Sequence, residues 1–278
     1  MDAKKVWLVT GASKGLGLTL VKKLLKEGYK VAATSRNVSA LSKEVGEHTP
    51  GFLPLQVDLV NEQSVAKAAA EIIHTFGTID VVVNNAGYGQ LGTLEELSDE
   101  EARNNFDINV FGSLNVIRSV MPHLRTQKSG AIFNISSIGG FLGNFPGWGI
   151  YCATKFAVAG FTESLAAEIK SFGITATVVY PGYFRTDFLS KDSLSLPQHP
   201  IEAYTEARAV EKLHINEIKG NQPGDPEKAA AVLIEIAENA PPLHLFLGQD
   251  AYDMAKVKLE SVQKDLTANK ALATSTAL

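Results

Sequence analysis

Val9–Gly17 reads VTGASKGLG, three glycines set between an apolar run and a helical pattern. Val6–Thr10 before the first glycine is short and apolar, as a buried strand requires. Beyond the last, Leu16, Leu20, Val21, Leu24 and Leu25 recur at helical spacing until Gly28 stops them. A backbone that turns sharply beneath a pyrophosphate has no room for side chains. The N-terminus of the helix that follows supplies free N–H groups and the positive end of its dipole. Gly11, Ser13, Lys14, Gly15, Leu16 and Gly17 are therefore candidate cofactor-binding residues. The spacing is neither G-x-G-x-x-G nor that of a P-loop, which ends in Gly-Lys-Ser/Thr.

Outward from this turn the chain alternates strand and helix. Tyr29–Thr34, Gly51–Leu59, Ile79–Gly87, Gly130–Ser137, Ile174–Gly182 and Leu243–Gly248 read as further strands. Glu62–Phe76, Asp99–Leu124, Tyr151–Phe172, the stretch from Asp225 and Asp250–Ala271 read as helices. The strands are apolar throughout rather than alternating, so both faces are buried under helices. The fold class is α/β: a doubly wound, mostly parallel seven-stranded sheet, Rossmann-like, in three layers with right-handed crossovers. Residues 1–278 form one such domain, with no repeat, low-complexity stretch or dividing linker. Residues 184–223 break the rhythm, with no clear strand and a short helix over Ile201–Leu213. An excursion this long from a strand end is expected to be a helical lid over the substrate, inserted before the last helix-strand unit. Asp225 is a good N-cap and Pro226 suits the first helical position. Residues 250–278 form a C-terminal helix and tail.

Composition removes several function classes. Apolar content of 45% and charge of 20% are ordinary for a globular protein. With a formal net charge of −4 and no basic tract, nucleic-acid binding is not expected. A single cysteine, Cys152, allows no internal disulfide and no multi-cysteine metal site. The opening MDAKKVWLVTG enters a strand at once, leaving no room for a signal peptide, and no run approaches the roughly 20 apolar residues of a membrane span. The expectation is a reduced, cytoplasmic protein without membrane or metal.

The end of the second strand selects the nucleotide. An NAD site offers a carboxylate there, but Thr34–Asn37 reads TSRN, with Ser35 and Arg36 in that place. An acid repels a 2′-phosphate and an arginine pairs with it. Lys14 adds a second cation, so NADP(H) is preferred and NAD(H) remains possible. Asp58, followed by Leu59, either caps its turn or bonds an adenine amino group. Asn84, Asn85, Ala86 and Gly87 form a polar turn or a cofactor-side turn. Tyr151 and Lys155 are i and i+4 on one helix face. An ammonium there favours the phenolate, so the tyrosine gains the means to exchange a proton with a carbonyl or alcohol oxygen. Ser137 ends the fifth strand on the same sheet edge as the glycine turn, suited to hold that oxygen.

Taken together, Thr10–Gly17, Asn84–Gly87, Asn109 in DINVFGS, Ser137 in NISS, Tyr151-x-x-x-Lys155 and Pro181-Gly182 with Thr186 resemble the short-chain dehydrogenase/reductase family over the chain up to about Leu189. ATSRN and the long C-terminal part look somewhat like its 17β-hydroxysteroid and retinol dehydrogenase branch. The resemblance implies that Tyr151 is the acid/base and that Lys155 lowers its pKa and holds the nicotinamide ribose. Ser137, rather than Ser136, orients the carbonyl. Asn109 holds a water that links Lys155 to solvent. Asp58 touches adenine; Asn85, Ala86 and Gly87 pass the adenosine ribose; Pro181, Gly182 and Thr186 meet the nicotinamide. It also implies homodimers or homotetramers paired through the two helices holding Asn109 and Tyr151.

Phe141, Leu142, Phe145, Trp148, Tyr183, Phe184 and Phe188 are the apolar and aromatic residues near this site, candidates to line a greasy cleft. Their chemistry suits a small hydrophobic ketone, aldehyde or alcohol as partner. The expected function is NADP(H)-dependent interconversion of such a carbonyl and its alcohol. The alternatives are an NAD(H)-dependent alcohol or hydroxysteroid-type dehydrogenase and a non-catalytic cofactor sensor.

Overall fold

A computed structural model describes residues 4–276. The last residues of the expected tail, Ala277 and Leu278, lie outside the described residues. Seven strands form one sheet: β1 (Val6–Val9), β2 (Lys30–Ser35), β3 (Phe52–Gln56), β4 (Val81–Asn84), β5 (Gly130–Ile135), β6 (Ile174–Pro181) and β7 (His244–Leu247). All six pairings are parallel, in the order β3-β2-β1-β4-β5-β6-β7. The direction of winding reverses between β1 and β4, which opens a crevice at the carboxyl ends of these strands.

The helices are α1 (Gly15–Lys26), α2 (Val38–Val45), α3 (Glu62–Phe76), α4 (Asp99–Phe106), α5 (Gly112–Gln127), α6 (Gly149–Ile169), α7 (Thr205–Leu213), α8 (Pro226–Glu238) and α9 (Gln249–Thr274). The strand period of two sends Trp7 and Val9 to one face and Val6 and Leu8 to the other. The first face meets Leu20 and Leu24 of α1 and Leu233 of α8; the second meets Ile72 of α3, Val120 of α5 and Leu165 of α6. Each such leucine, fully buried, contributes about 1.5–3 kcal/mol. These are the three layers expected from the apolar strands.

Pro54 interrupts β3 where a central strand would not tolerate it. Gly51 O and Val57 N bond β2, so alternate residues from 51 to 57 face that neighbour. Pro54 lies between them and turns its nitrogen to the open edge, where no partner needs an N–H.

Four local features depart from the sequence pattern. α2 was not expected; Asn37 caps it, accepting from Ala40 N at 3.0 Å. The single helix expected over Asp99–Leu124 carries a wide π-turn at Asp107–Phe111, which re-aims Asn109. Residues 184–223 do contain a strand: Leu194–Ser195 pairs in parallel with Gly89–Gln90. Two residues are too few to show a period. The helix expected from Ile201 starts at Thr205 and ends in a second π-turn, His214–Ile218. The α8 start is as expected, with Asp225 Oδ1 accepting from Glu227 N at 2.9 Å and Pro226 in the first turn.

Gly11 has φ of +64°, and a Cβ there would stand 2.6 Å from Ala86 Cα. Gly11→Ala should therefore lower stability by about 1–3 kcal/mol. Urea unfolding checks this, and a midpoint unchanged from the parent would show that the turn relaxes freely.

Candidate active site

Thr10 rivets the glycine turn to the turn after β4. Its Oγ1 accepts from Asn85 N at 3.1 Å and Ala86 N at 3.2 Å. Asn85 Nδ2 returns bonds to Thr10 O at 2.9 Å and Gly11 O at 3.1 Å. Gly17 is buried behind them, where a Cβ would stand 2.8 Å from Gly11 O. Lys14, the N-cap of α1, makes no side-chain cap, so no protein side chain occupies the first-turn amides from that position.

A cleft of about 900 Å³ opens along this edge. Its wall gathers Gly11, Ser13, Lys14, Gly15, Leu16, Ser35, Arg36, Asp58, Leu59, Asn85, Ala86 and Gly87 at one end. Ser137, Tyr151, Lys155, Pro181, Gly182 and Thr186 line the same cleft further along. Of the expected catalytic and cofactor-binding residues, Gly17 and Asn109 stay outside the wall. Lys14 Nζ donates to Asp192 O at 2.7 Å, tying the glycine turn to the insertion. Burial holds its ammonium below the ordinary range, Asp192 opposes this, and Arg36 adds repulsion. Arg36 itself is exposed at the end of β2, with no acid beside it on the strand. Asp58 caps its own turn, Oδ1 accepting from Val60 N at 3.1 Å, while still facing the cleft.

Asn109 is 1% exposed and braces the loop behind Gly87. Its Oδ1 accepts from Tyr88 N at 3.0 Å; its Nδ2 donates to Tyr88 O at 3.0 Å and to Thr154 Oγ1 at 3.1 Å. Ser136 spends its hydroxyl on the carbonyl of Lys155, at 2.8 Å, and is buried. Ser137 faces the cleft and accepts from Gly139 N at 3.1 Å. Both serines line the cleft, but the Ser136 hydroxyl is committed to α6, whereas Ser137 Oγ accepts within its own turn.

Tyr151 and Lys155 share one face of α6, with Nζ 5.7 Å from the centre of the phenol ring. Lys155 Nζ donates to Ile135 O at 2.9 Å. Burial pushes the ammonium down to about 8. Burial also pushes the Tyr151 phenol up, and hydrogen bonding with Ser137 only partly opposes this. Burial is the largest influence on the phenol, and it runs opposite to the lowering expected from the lysine. The amine is turned to the Ile135 carbonyl, and desolvation dominates at the phenol. Cys152, also in the wall, has its thiol pushed up to about 11 by burial and stays a thiol.

Phe145, Trp148, Tyr183, Phe184 and Phe188 line the cleft; Phe141 and Leu142 do not. Phe141 instead packs edge-on against Tyr180 at 5.7 Å and Phe246 at 5.1 Å, on the far side of β6. The sequence did not mark Tyr88, Ser193, His214 or Gln222, all in the wall. The last three come from the insertion, which has no periodicity to read. Among the described residues no helix is long and apolar enough to cross a membrane.

The short chain dehydrogenase family model matches residues 5–195. A short-chain dehydrogenase from Streptomyces avermitilis has 35% identity, a TM-score of 0.89, and coverage of 98% of this chain and 100% of its own. A short-chain dehydrogenase from Burkholderia cenocepacia, solved with NADP, has 25% identity and a TM-score of 0.74, over 96% of this chain and 97% of its own. A short-chain dehydrogenase/reductase from Burkholderia phymatum, solved with NAD, shares the fold at 22% identity and a TM-score of 0.82, over 95% of each chain. With its motifs in order and along one cleft, the chain belongs to the short-chain dehydrogenase family and is an oxidoreductase of that type.

Proposed function

We propose that the protein interconverts a hydrophobic ketone or aldehyde and its alcohol with NADP(H), Tyr151 acting as general acid/base. The observation that carries this is the meeting of Tyr151, Ser137 and Lys155 in one cleft with the glycine turn. The residues fit a dinucleotide: the glycine turn leaves a side-chain-free cradle at the head of α1, braced by Thr10 and Asn85. Gly11, Ser13, Lys14, Gly15, Leu16 and Gly17 hold the pyrophosphate end. Asp58, Leu59, Asn85, Ala86 and Gly87 flank the adenosine, and Pro181, Gly182 and Thr186 the nicotinamide. When bound, the dinucleotide supplies hydride to the carbonyl carbon or accepts it from the alcohol. Ser137 and Tyr151 hold the substrate oxygen, and Tyr151 gives it a proton as negative charge develops there. Lys155 would bond the ribose hydroxyl and, through a water held by Asn109 behind Gly87, would return to the phenol the proton it gives up.

Arg36 and Lys14 line the cleft where β2 ends, and β2 carries no acid there, which favours a 2′-phosphate, so NADP(H) is the preferred cofactor. NAD(H) is the second reading, since relatives with this fold have been solved with either. The apolar wall of Phe145, Trp148 and Phe188 supports a hydrophobic substrate. With this reading go one domain over residues 1–278, a substrate lid over 184–223 and a cytoplasmic setting. A placement near the 17β-hydroxysteroid and retinol dehydrogenase branch rests on sequence likeness alone. Pairing of two copies through the helices holding Asn109 and Tyr151 is supported by Phe111 and Phe156, both exposed there.

Tyr151→Phe should bind NADPH normally, by calorimetry, yet lose about 10²–10⁴ of turnover on a reactive aryl ketone. Full turnover would remove Tyr151 from the chemistry. Arg36→Ala should weaken NADPH by roughly tenfold more than NADH; equal losses would end the phosphate assignment. The third expectation concerns pH. Lys155 titrates near 8 when folded against an ordinary 10.5, so between these values the unfolded chain binds more protons. Parent stability should rise with pH across that window relative to Lys155→Met. Parallel profiles in urea unfolding would show that the amine is not held in a low-dielectric site.

A further inference from the structure

The lid end of the cleft holds polar atoms that the chemistry above does not use. His214, from the π-turn after α7, lies with its ring 5.0 Å from that of Trp148 and 5.7 Å from that of Tyr183. Its Nδ1 is 2.7 Å from Val210 O, which can only accept, so Nδ1 carries the proton. Burial holds the imidazole below its ordinary range and therefore neutral. Nε2 is then a bare acceptor, and Tyr183 donates its hydroxyl proton to it across 2.9 Å. The Tyr183 oxygen has only lone pairs left to offer. Trp148 has the opposite need: it is 5% exposed, and its indole N–H finds no acceptor among the described residues. Its ring stands 5.3 Å from that of Tyr151, and all four residues line the same cleft.

We propose that Trp148, His214 and Tyr183 form a recognition corner for a substrate hydroxyl distinct from the reacting oxygen. This rests on the function proposed above, in which Tyr151 marks the reacting end. A hydroxyl both donates and accepts, so it answers the acceptor-only phenol and the unpaired indole N–H. A ketone cannot donate to Tyr183. An ammonium cannot accept from Trp148, and it brings a charge to a corner of aromatic rings and a neutral imidazole. The preferred substrates are hydroxyketones with an apolar body, or the corresponding diols. Tyr183 is here a specificity residue, and His214 positions it by fixing where its proton goes.

The test is binding rather than turnover. Phenyl ketones carrying a terminal hydroxyl at one to six carbons from the carbonyl, and their deoxy partners, are titrated into the full chain by calorimetry. At the right spacing the hydroxyketone should bind roughly tenfold or more tightly than its partner. Tyr183→Phe and Trp148→Phe should each shrink that preference to about twofold, and His214→Gln should weaken it by freeing the phenol proton. Equal binding within every pair in the parent protein overturns the proposal, as does failure of all the ketones to bind. A preference retained in Tyr183→Phe overturns it too. The parent comparison decides the matter even where a variant fails to fold. A preference that stands while hydride transfer is absent counts against the proposed reaction alone.

Discussion

A lysine ammonium confined in the protein interior with one backbone carbonyl for company is the constraint on which the site depends. Lys155 is 4% exposed, and Ile135 O is its protein partner. Removing such a charge from water is costly, and the fold sustains it by anchoring α6 to β5, where Ser136 holds the carbonyl of the same lysine. The desolvation that makes the amine easier to deprotonate makes Tyr151 harder to deprotonate. Both shifts disfavour charge, and a neutral phenol is the form that donates a proton. That state suits donation to a carbonyl oxygen, the reducing direction of the proposed reaction. Phenolate chemistry in the other direction needs a further positive charge beside the ring.

The rest of the architecture brings backbone to this point from distant parts of the sequence. Reversal of winding between β1 and β4 puts two turns side by side, and Thr10 and Asn85 lock them. The π-turn in the long helix after Ser98 brings Asn109 behind Gly87 rather than into the cleft. The insertion then closes over the edge: Lys14 reaches Asp192 on one side, and Tyr183 reaches His214 on the other. At the base, Asp250 at the head of α9 accepts from Tyr183 N at 2.7 Å, joining the C-terminal helix to the loop that ends β6.

What was legible in the sequence was whatever repeats locally. Apolar strands, the leucines of α1 and the i, i+4 spacing of Tyr151 and Lys155 are properties of neighbouring residues, and each appears where its period puts it. α2 was missed because eight residues with only Leu41 buried leave little pattern. Phe141 and Phe145 lie four residues apart yet belong to different clusters, because the chain between them is not a regular helix. His214 and Gln222 come to the cleft through tertiary packing of an aperiodic segment, which no spacing announces. The sign of the Tyr151 shift was also unreadable. Charge proximity is visible in a sequence, whereas the water removed from both groups is not.

Pro54 bears on how copies of this chain behave when crowded together. The open flank of β3 lacks one of the N–H groups that an incoming strand would need, so sheet-to-sheet growth from that side meets a gap in its ladder. The parallel sheet thus carries its own guard against fibrillar stacking at one margin.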